Sequence, residues 1–535
     1  MKLVTAQQMR ELEQRADASG NSYAQMMERA GTLAAHAMTN RWNLRDARVL
    51  VLVGPGNNGG DGLVCARVLH DAGASVRLYV WKRALDENDV NWKLCAERNI
   101  PFVRAQDDAD FSQLRENLEH ADFVVDALLG TGVTRAIEGT LKEILERVRE
   151  GTKGTRARVI AIDLPTGLNP DTGALDPTTV PADLTVTFAF PKIGQYTFPG
   201  ANAVGEIYVA DIGIPPEWAK DVLVSVAEAQ EIRALLPARP RDANKGTFGK
   251  TMLACGSLHY TGAPVLAARA AGRSGTGLVT LAIPQTIHPI VAAKIDEATF
   301  LPLPDHAGDW RPRAANELLA FLWDNPYSAL LVGCGIGRAL STREFLERLF
   351  ENLPTLENPP PLVLDADALN HLADISEWWK KFSFAAPPIL TPHPGEMARL
   401  LDIKTRAVQA NRAESAQRAA QQWNAIVVLK GAHTVVASSD GTATLIPFAN
   451  AALATAGTGD VLAGTIAGIL AQYSAQGRDD ENFDAMRAAY NAAVVGAYIH
   501  ALAGEIAAQE IGNVGVVAGD LIARLPTALT QLRAN

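Results

Sequence analysis

Residues 54–62 read Gly-Pro-Gly-Asn-Asn-Gly-Gly-Asp-Gly and lie between a β-branched run and a helix-forming run. Gly59, Gly60 and Gly62 would let backbone approach a phosphate, and the N-terminus of the following helix favours an anion. The glycine spacing is not that of a dinucleotide fingerprint, and no Gly-Lys-Ser/Thr follows, so a P-loop is also excluded. Asn57, Asn58 and Asp61 add oxygen ligands suited to a hard cation or a ribose. The same residues would also serve a tight turn with Asn in the left-handed conformation. Two further apolar runs end alike: Asp126 leads into Leu128-Leu129-Gly130-Thr131-Gly132, and Asp163 into Leu164-Pro165-Thr166-Gly167. One such Asp is as readily a cap or turn former. Three such ends point to a shared site, because parallel strands bring their carboxyl ends together.

A second set of chemistry-bearing loops lies in the other half. Ala454–Gly464 reads ATAGTGDVLAG. Successive N–H groups of Gly457, Thr458 and Gly459 at a helix start form an anion hole for a phosphoryl group. Asp460, in the first turn, is placed to take a proton from a hydroxyl attacking that phosphorus, or simply to cap the helix. Lys430-Gly431-Ala432-His433-Thr434 follows an apolar run and could cradle a nucleotide. His393, between two prolines in Thr391-Pro392-His393-Pro394-Gly395-Glu396, is expected to contact ligand. Asp365 and Asp367 would either bind magnesium through water or cap a turn. Gly333-Cys334-Gly335-Ile336-Gly337 ends a further run.

These loops need a scaffold that aligns strand ends. The runs 49–53, 76–80, 123–129, 159–162 and 184–190 are short, apolar and β-branched, as strands buried on both faces are. Helical stretches alternate with them, which implies right-handed βαβ crossovers and a mostly parallel sheet. Before them, Thr5 with Gln8 and Ser22 with Gln25 match the capping box of two N-terminal helices. The rhythm restarts with expected strands at 251–254, 278–283, 330–332, 362–364, 389–391 and 426–429, and the last 75 residues read as mainly helical. Pro237–Asn244 reads as part of the approach to the second domain. The fold class is therefore α/β with two domains, 1–218 and 225–535; the resemblance set out below implies that the first is Rossmann-like.

Composition sets limits. The 535 residues are 48% apolar and 20% charged, which is ordinary globular usage. With 49 basic against 59 acidic residues and no Lys/Arg block, nucleic acid is a poor partner. Cys65, Cys95, Cys255 and Cys334 are too sparse for a disulfide scaffold and lack zinc spacing, so a reducing cytoplasm is expected. The N-terminus lacks the order of a signal peptide. The run 488–504, broken by Asn491 and His500, reads as a buried helix and not a membrane span.

The set NNGGDG, DALLGTG, DLPTGL and FAFPKIG resembles the YjeF-type N-terminal domain, the NAD(P)H-hydrate epimerase, over about residues 1–215. The resemblance implies a potassium ion held by Asn58, Asp126 and Thr166. It implies substrate contacts from Asn57, Asn58, Gly59, Gly60 and Asp61, from Gly130, Thr131, Gly132, Val133, Thr134, Arg135 and Ala136, and from Asp163. Asp163 is then the acid–base candidate and Lys192 the second.

From KGTFGK (245–250) through 256–277 to ATAGTGDVLAG, the second half resembles the ribokinase-like NAD(P)H-hydrate dehydratase. This implies ADP as co-substrate, with Mg2+. Ala263, Gly337, His393 and Asp460 would contact substrate. Lys430, Gly431, Ala432, His433, Thr434 and Gly459 would contact nucleotide. The substrates would be NADHX and NADPHX, hydrated at ring carbon 6, in a cytoplasmic homo-oligomer. Ala449-Asn450-Ala451 departs from the pattern in lacking its flanking Gly and Pro, and Gly272 stands where Ala or Leu is commoner. A vitamin-type kinase of the same fold would share the GTGD loop. The rival for the first half is a nucleotide-binding regulatory module.

Overall fold

The computed structural model describes residues 1–86, 88–132, 135–477 and 482–534. It divides into two compact units, Met1–Val222 and Leu223–Asn535.

The first unit runs α1 (Ala6–Ala18), α2 (Tyr23–Thr39), β1 (Arg48–Val53), α3 (Asn57–Asp71), β2 (Ser75–Val80), α4 (Val90–Glu97), β3 (Phe102–Arg104), α5 (Ser112–His120), β4 (Phe123–Ala127), α6 (Gly139–Thr152), β5 (Arg158–Ile162), β6 (Leu184–Phe188) and β7 (Glu206–Ala210). Both capping boxes form: the Thr5 hydroxyl accepts from Gln8 N at 3.1 Å, and Ser22 from Gln25 N at 3.3 Å. The strands make one parallel sheet in the order β3-β2-β1-β4-β5-β6-β7. The VLVLV run explains the two-sided covering. Val49, Val51 and Val53 enter one core layer, while Leu50 and Leu52 enter the layer on the other face. Strand order reverses between β1 and β4, the place where such sheets bind ligands.

The second unit runs β8 (Val224–Val226), α7 (Ala229–Leu235), β9 (Lys250–Ala254), α8 (Gly262–Ser274), β10 (Leu278–Pro284), α9 (His288–Ala292), β11 (Thr299–Leu303), the small hairpin β12 (Asp305–His306) and β13 (Asp309–Trp310), and α10 (Pro312–Asp324). There follow β14 (Ala329–Val332), α11 (Leu340–Asn352), β15 (Leu362–Leu364), α12 (Asp367–Ala373), α13 (Trp378–Lys381), β16 (Ile389–Leu390), α14 (Pro394–Leu400), α15 (Thr405–Ala410) and α16 (Arg412–Trp423). The unit ends with β17 (Ile426–Leu429), β18 (Val435–Ala437), β19 (Ala443–Leu445), α17 (Thr458–Gln476), α18 (Ala485–Ile511) and α19 (Ala518–Ala534). Its main sheet is ordered β11-β10-β9-β14-β15-β16-β17-β18-β19-β8. It is parallel from β11 to β17; β18 and β19 are antiparallel additions, and β8 joins β19 in parallel.

Several expected strands end early, for local reasons. β4 stops at Ala127 because the Asp126 carboxylate turns back to accept from Leu128 N at 3.2 Å. β6 stops at Phe188 because Ala189 takes φ 53°. Edge strands β3, β7, β8 and β11 have mixed exposure and gave no continuous apolar run, while β18 and β19 are buried but only three residues long. Residues 488–504 lie within α18, whose inner face is buried, and no helix among the described residues is long and apolar enough to cross a membrane.

Helix α17 packs along α8 at very short range. A Cβ placed on Gly464 would lie 2.2 Å from the Ala267 carbonyl oxygen, and one on Gly468 would lie 2.7 Å from that of Ala271. Gly464→Ala gains up to about 1 kcal/mol of helix propensity. Overpacking against fixed backbone costs roughly 1–3 kcal/mol and wins. Gly464→Ala therefore lowers the unfolding midpoint of the second unit in calorimetry; a raised midpoint contradicts this packing.

Candidate functional site

At the carboxyl edge of the first sheet, Asn57–Gly62 is already the first turn and a half of α3, not a loop. The glycines answer to packing. A Cβ on Gly59 would lie 2.0 Å from the Gly54 carbonyl oxygen, and one on Gly62 would lie 2.4 Å from Ala127 Cβ. Gly60 faces the Met27 thioether. Packing alone therefore requires glycine at 59 and 62. At the α3 N-terminus no side chain caps the free N–H groups, an arrangement that suits an anion.

Asp126 and Thr166 meet as expected. Asp126 Oδ2 accepts from Thr166 N at 2.8 Å, and Oδ1 accepts from the Thr166 hydroxyl at 2.7 Å. The Thr166 oxygen also accepts from Leu129 N at 3.1 Å. Both side chains are buried, and burial outweighs these hydrogen bonds in pushing the Asp126 carboxyl up. Among the described residues no basic side chain pairs with Asp126. Asn58 stands alongside, its amide 3.5 Å from a Cβ built on Gly130. Its Nδ2 is buried with no partner among the described residues. Turning that amide would aim Oδ1 at the unsatisfied position, since amide orientation follows the hydrogen-bond network. A buried carboxylate lacking a counter-charge beside hydroxyl and amide oxygens fits a weakly charged hard cation.

Asp163 has φ 63° and is held in an ion pair with Lys192, Oδ1 to Nζ 2.5 Å. The Thr187 hydroxyl donates to the same Oδ1 at 3.2 Å and accepts from Lys192 Nζ at 3.1 Å. The two acid–base candidates are therefore one coupled group. Two more carboxylates share its field. Burial, then Asp163 and Glu13, push Asp61 well above the usual carboxylate range, and Glu13 on α1 is raised by burial. Glu13 carried no motif. Gly130, Thr131 and Gly132 follow β4, and Arg135 and Ala136 are exposed before α6. Val133 and Thr134 lie outside the described residues.

In the second unit, Gly457 takes φ 89° and α17 begins at Thr458 with no side-chain cap. The N–H groups of Thr458, Gly459 and Asp460 are thus left for a ligand. The Thr458 hydroxyl donates to the Leu453 and Thr455 carbonyls at 3.0 and 2.9 Å, and His500 Nε2 donates to the Thr458 carbonyl at 3.0 Å. Above this turn, Lys430 Nζ lies 3.6 Å from a Cβ built on Gly459. It pairs with Asp365 at 2.7 Å and Glu396 at 3.8 Å. Burial opposes the Lys430 charge, but Asp365 and Glu396 more than offset it and its pKa is raised. Asp460, Asp365 and Cys334 bring ligand atoms within 4.8 Å of one another. Burial, then Asp365, push Asp460 up to about 6. Burial likewise takes Glu396 to about 7.

Asp365 and Asp367 have different partners. Asp365 Oδ1 accepts from Lys430 Nζ at 2.7 Å and from the Thr391 hydroxyl at 2.6 Å, and Oδ2 faces the Cys334 thiol at 3.6 Å. Asp367 accepts from Gly337 N at 3.0 Å and so anchors the β14 loop. These groups do not form an oxygen cage for Mg2+, since one corner is a thiol and Asp365 is taken. His393 caps α14: its Nδ1 accepts from Gly395 N and Glu396 N at 3.0 and 3.3 Å, with the ring half exposed. Ala263 opens α8 against the Gly335 turn, and Gly337 lies over Ser257. Gly431, Ala432, His433 and Thr434 form the β17–β18 turn beyond Lys430, with the Thr434 hydroxyl donating to the Gly431 carbonyl at 2.9 Å. Asn450, despite its altered neighbours, still accepts from Ala452 N at 2.9 Å, and Gly272 has open space beside it. Glu396 and His500 escaped the sequence reading of the site. Glu396 was legible only as the end of a motif, and His500 as a break in an apolar run.

His500 is fully enclosed, and burial drives it down to about 4 from an ordinary 6.5. Its folded pKa is below its unfolded one, so its contribution is complete above pH 6.5 and is lost as pH falls through about 4. The wild-type second unit loses up to roughly 3 kcal/mol over that window from this group. Denaturant titrations of His500→Gln show a flatter pH profile; parallel profiles would contradict the buried neutral ring.

Residues 251–527 match the family model described as NAD(P)H-hydrate dehydratase, and residues 23–194 match that of the YjeF-related protein N-terminus. A bifunctional NAD(P)H-hydrate repair enzyme of Moorella thermoacetica is 36% identical over 541 residues, covering 99% of this chain and 97% of the relative. One from Salinibacter ruber is 40% identical over 466 residues, covering 84% and 83%. Among solved structures, the ADP/ATP-dependent NAD(P)H-hydrate dehydratase of Bacillus subtilis, co-crystallised with ATP/Mg2+, is 29% identical over 58% of this chain and 99% of that one, with a TM-score of 0.47. With near full-length similarity to such two-part relatives and both family models matched in order, the chain belongs to the bifunctional NAD(P)H-hydrate repair enzymes.

Proposed function

We propose that the second unit dehydrates the S epimer of NADHX and NADPHX at the expense of ADP, while the first interconverts the R and S epimers. The observation that carries the dehydratase reading is the meeting of Asp460, the uncapped α17 N-terminus and the Lys430 ammonium at one strand-end site. Asp460, with a pKa of about 6, is ionised at neutral pH and takes the proton of the ring hydroxyl. The freed oxygen attacks the terminal phosphorus of ADP, and AMP leaves. The N–H groups of α17 and Lys430 hold the transferred phosphoryl. The ring nitrogen lone pair then expels inorganic phosphate from carbon 6, and loss of a ring proton restores NAD(P)H. A magnesium ion at this site would be carried by the nucleotide phosphates.

In the first unit the coupled Asp163–Lys192 pair moves the protons of epimerisation, in the field of Asp61 and Glu13. Asn58, Asp126 and Thr166 would hold potassium, which would neutralise the buried carboxylate and steady a substrate phosphate.

Supplied with mixed epimers and ADP, the chain converts both fully to NADH, with one phosphate released per turnover. Accumulation of a stable phosphorylated nucleotide would instead establish a kinase. In lithium buffer, and in Asp126→Ala, only the S fraction is consumed quickly and the R fraction persists. Equal R-epimer consumption with and without potassium would remove the ion from this site.

A further inference from the structure

A second cationic feature of the Leu223–Asn535 unit lies at the opposite end of α17 from Asp460. Arg239, Arg273 and Arg533 line one cavity of about 230 Å3, beside Gln472 and Thr530, with no aspartate or glutamate in its walls. Gln472 and Asp460 are twelve residues apart on α17, roughly 18 Å along the helix.

The cavity is preorganised. Arg239 Nη1 donates to the Gly275 carbonyl at 3.0 Å and to Gln472 Oε1 at 3.1 Å, and its guanidinium lies 3.7 Å from the Phe248 ring centre. Gln472 is buried, and its Nε2 donates to the Ser274 and Gly468 carbonyls at 3.1 and 2.9 Å, so its oxygen is fixed toward Arg239. Arg533 Nη2 donates to the Pro237 carbonyl at 3.0 Å. Among the described residues Arg273 has no hydrogen-bond or ion-pair partner, and none of the three arginines meets a carboxylate.

Each charge alone has an ordinary explanation. Arg273 and Arg533 occupy the last turns of α8 and α19, where a cation complements the helix dipole. That reading does not account for three arginines, all exposed to solvent, lining one concavity. Like charges at short range repel. Burial, with Arg533 beside it, holds Arg239 below the usual arginine range. A bound anion relieves that repulsion, and guanidinium forks match phosphate oxygens in bidentate geometry.

We propose that this cavity is a binding site for a small phosphate-bearing ligand, distinct from the phosphoryl hole at Asp460. Its volume suits inorganic phosphate or the phosphate end of a mononucleotide. It is too small for a whole dinucleotide, since drug-sized ligands fill roughly 300–1,000 Å3.

The test is calorimetric titration of the full chain with inorganic phosphate at matched chloride. Wild type is compared with Arg273→Gln, with Arg273→Gln/Arg533→Gln, and with Arg269→Gln, which lies one turn away on α8 outside this cavity. One phosphate site weakens at least about tenfold in the single variant and is lost in the double, while Arg269→Gln binds as wild type. Circular dichroism and unchanged dehydration rates show that the variants are folded. AMP that displaces the phosphate and shows the same sensitivity to Arg273→Gln assigns a nucleotide as the source. AMP that does not displace it assigns free phosphate. Wild type and double variant giving the same isotherm, or no binding beyond chloride, overturns the proposal.

Discussion

A carboxylate buried at the carboxyl end of a parallel strand, held by a single lysine, is the interaction on which each unit's site depends. In the first unit it is Asp163 with Lys192, and in the second it is Asp365 with Lys430. Both pairs are nearly enclosed, and removing one partner of such a pair costs about 3–5 kcal/mol because the other charge is left stranded. The pairs therefore fix geometry. Lys192 follows β6 and Asp163 ends β5, so their pairing binds adjacent strand ends together. Lys430 follows β17 and Asp365 follows β15, and their pairing spans β16, which supplies Thr391 as a third partner.

What differs is what remains free around each pair. In the second unit, Lys430 pairs with Asp365 and stands near the α17 N-terminus, and the proposed dehydration assigns the proton-accepting role to Asp460. The close packing of Gly464 and Gly468 on α8 holds that N-terminus in place. His500, kept neutral, fixes the Thr458 carbonyl beneath it. In the first unit, Asp61 and Glu13 sit in the same field as Asp163 and Lys192, so the acids compete for protons. That suits a reversible proton shuttle better than a committed phosphoryl transfer.

The alternating strands, the capping boxes and the strand-end aspartates were legible because they are local or periodic. Asp126 with Thr166 could be anticipated because neighbouring parallel strands must bring those turns together. Tertiary packing was not legible. Gly59 and Gly62 looked like phosphate glycines, yet they are required by the contact of α3 with Gly54 and Ala127. Asp367 was open between a water-mediated magnesium contact and a turn, and its bond to Gly337 N, thirty residues away, was not foreseen. Glu13, Glu396 and His500 are single ionisable residues on helices, and only folding shows which charges or carbonyls they face. Edge strands such as β8 and β11 were missed because partial exposure breaks the apolar run.

In the proposed dehydration Asp460 accepts the hydroxyl proton while the hole around it binds phosphoryl. Asp460→Asn keeps the side-chain size and the ability to cap a helix but removes the base. Measured on the full chain with ADP, S-NADHX dehydration by this variant should fall about 100- to 10,000-fold, with ADP affinity and R/S interconversion retained. Dehydration at a near wild-type rate would contradict the account and leave Asp460 as a helix cap.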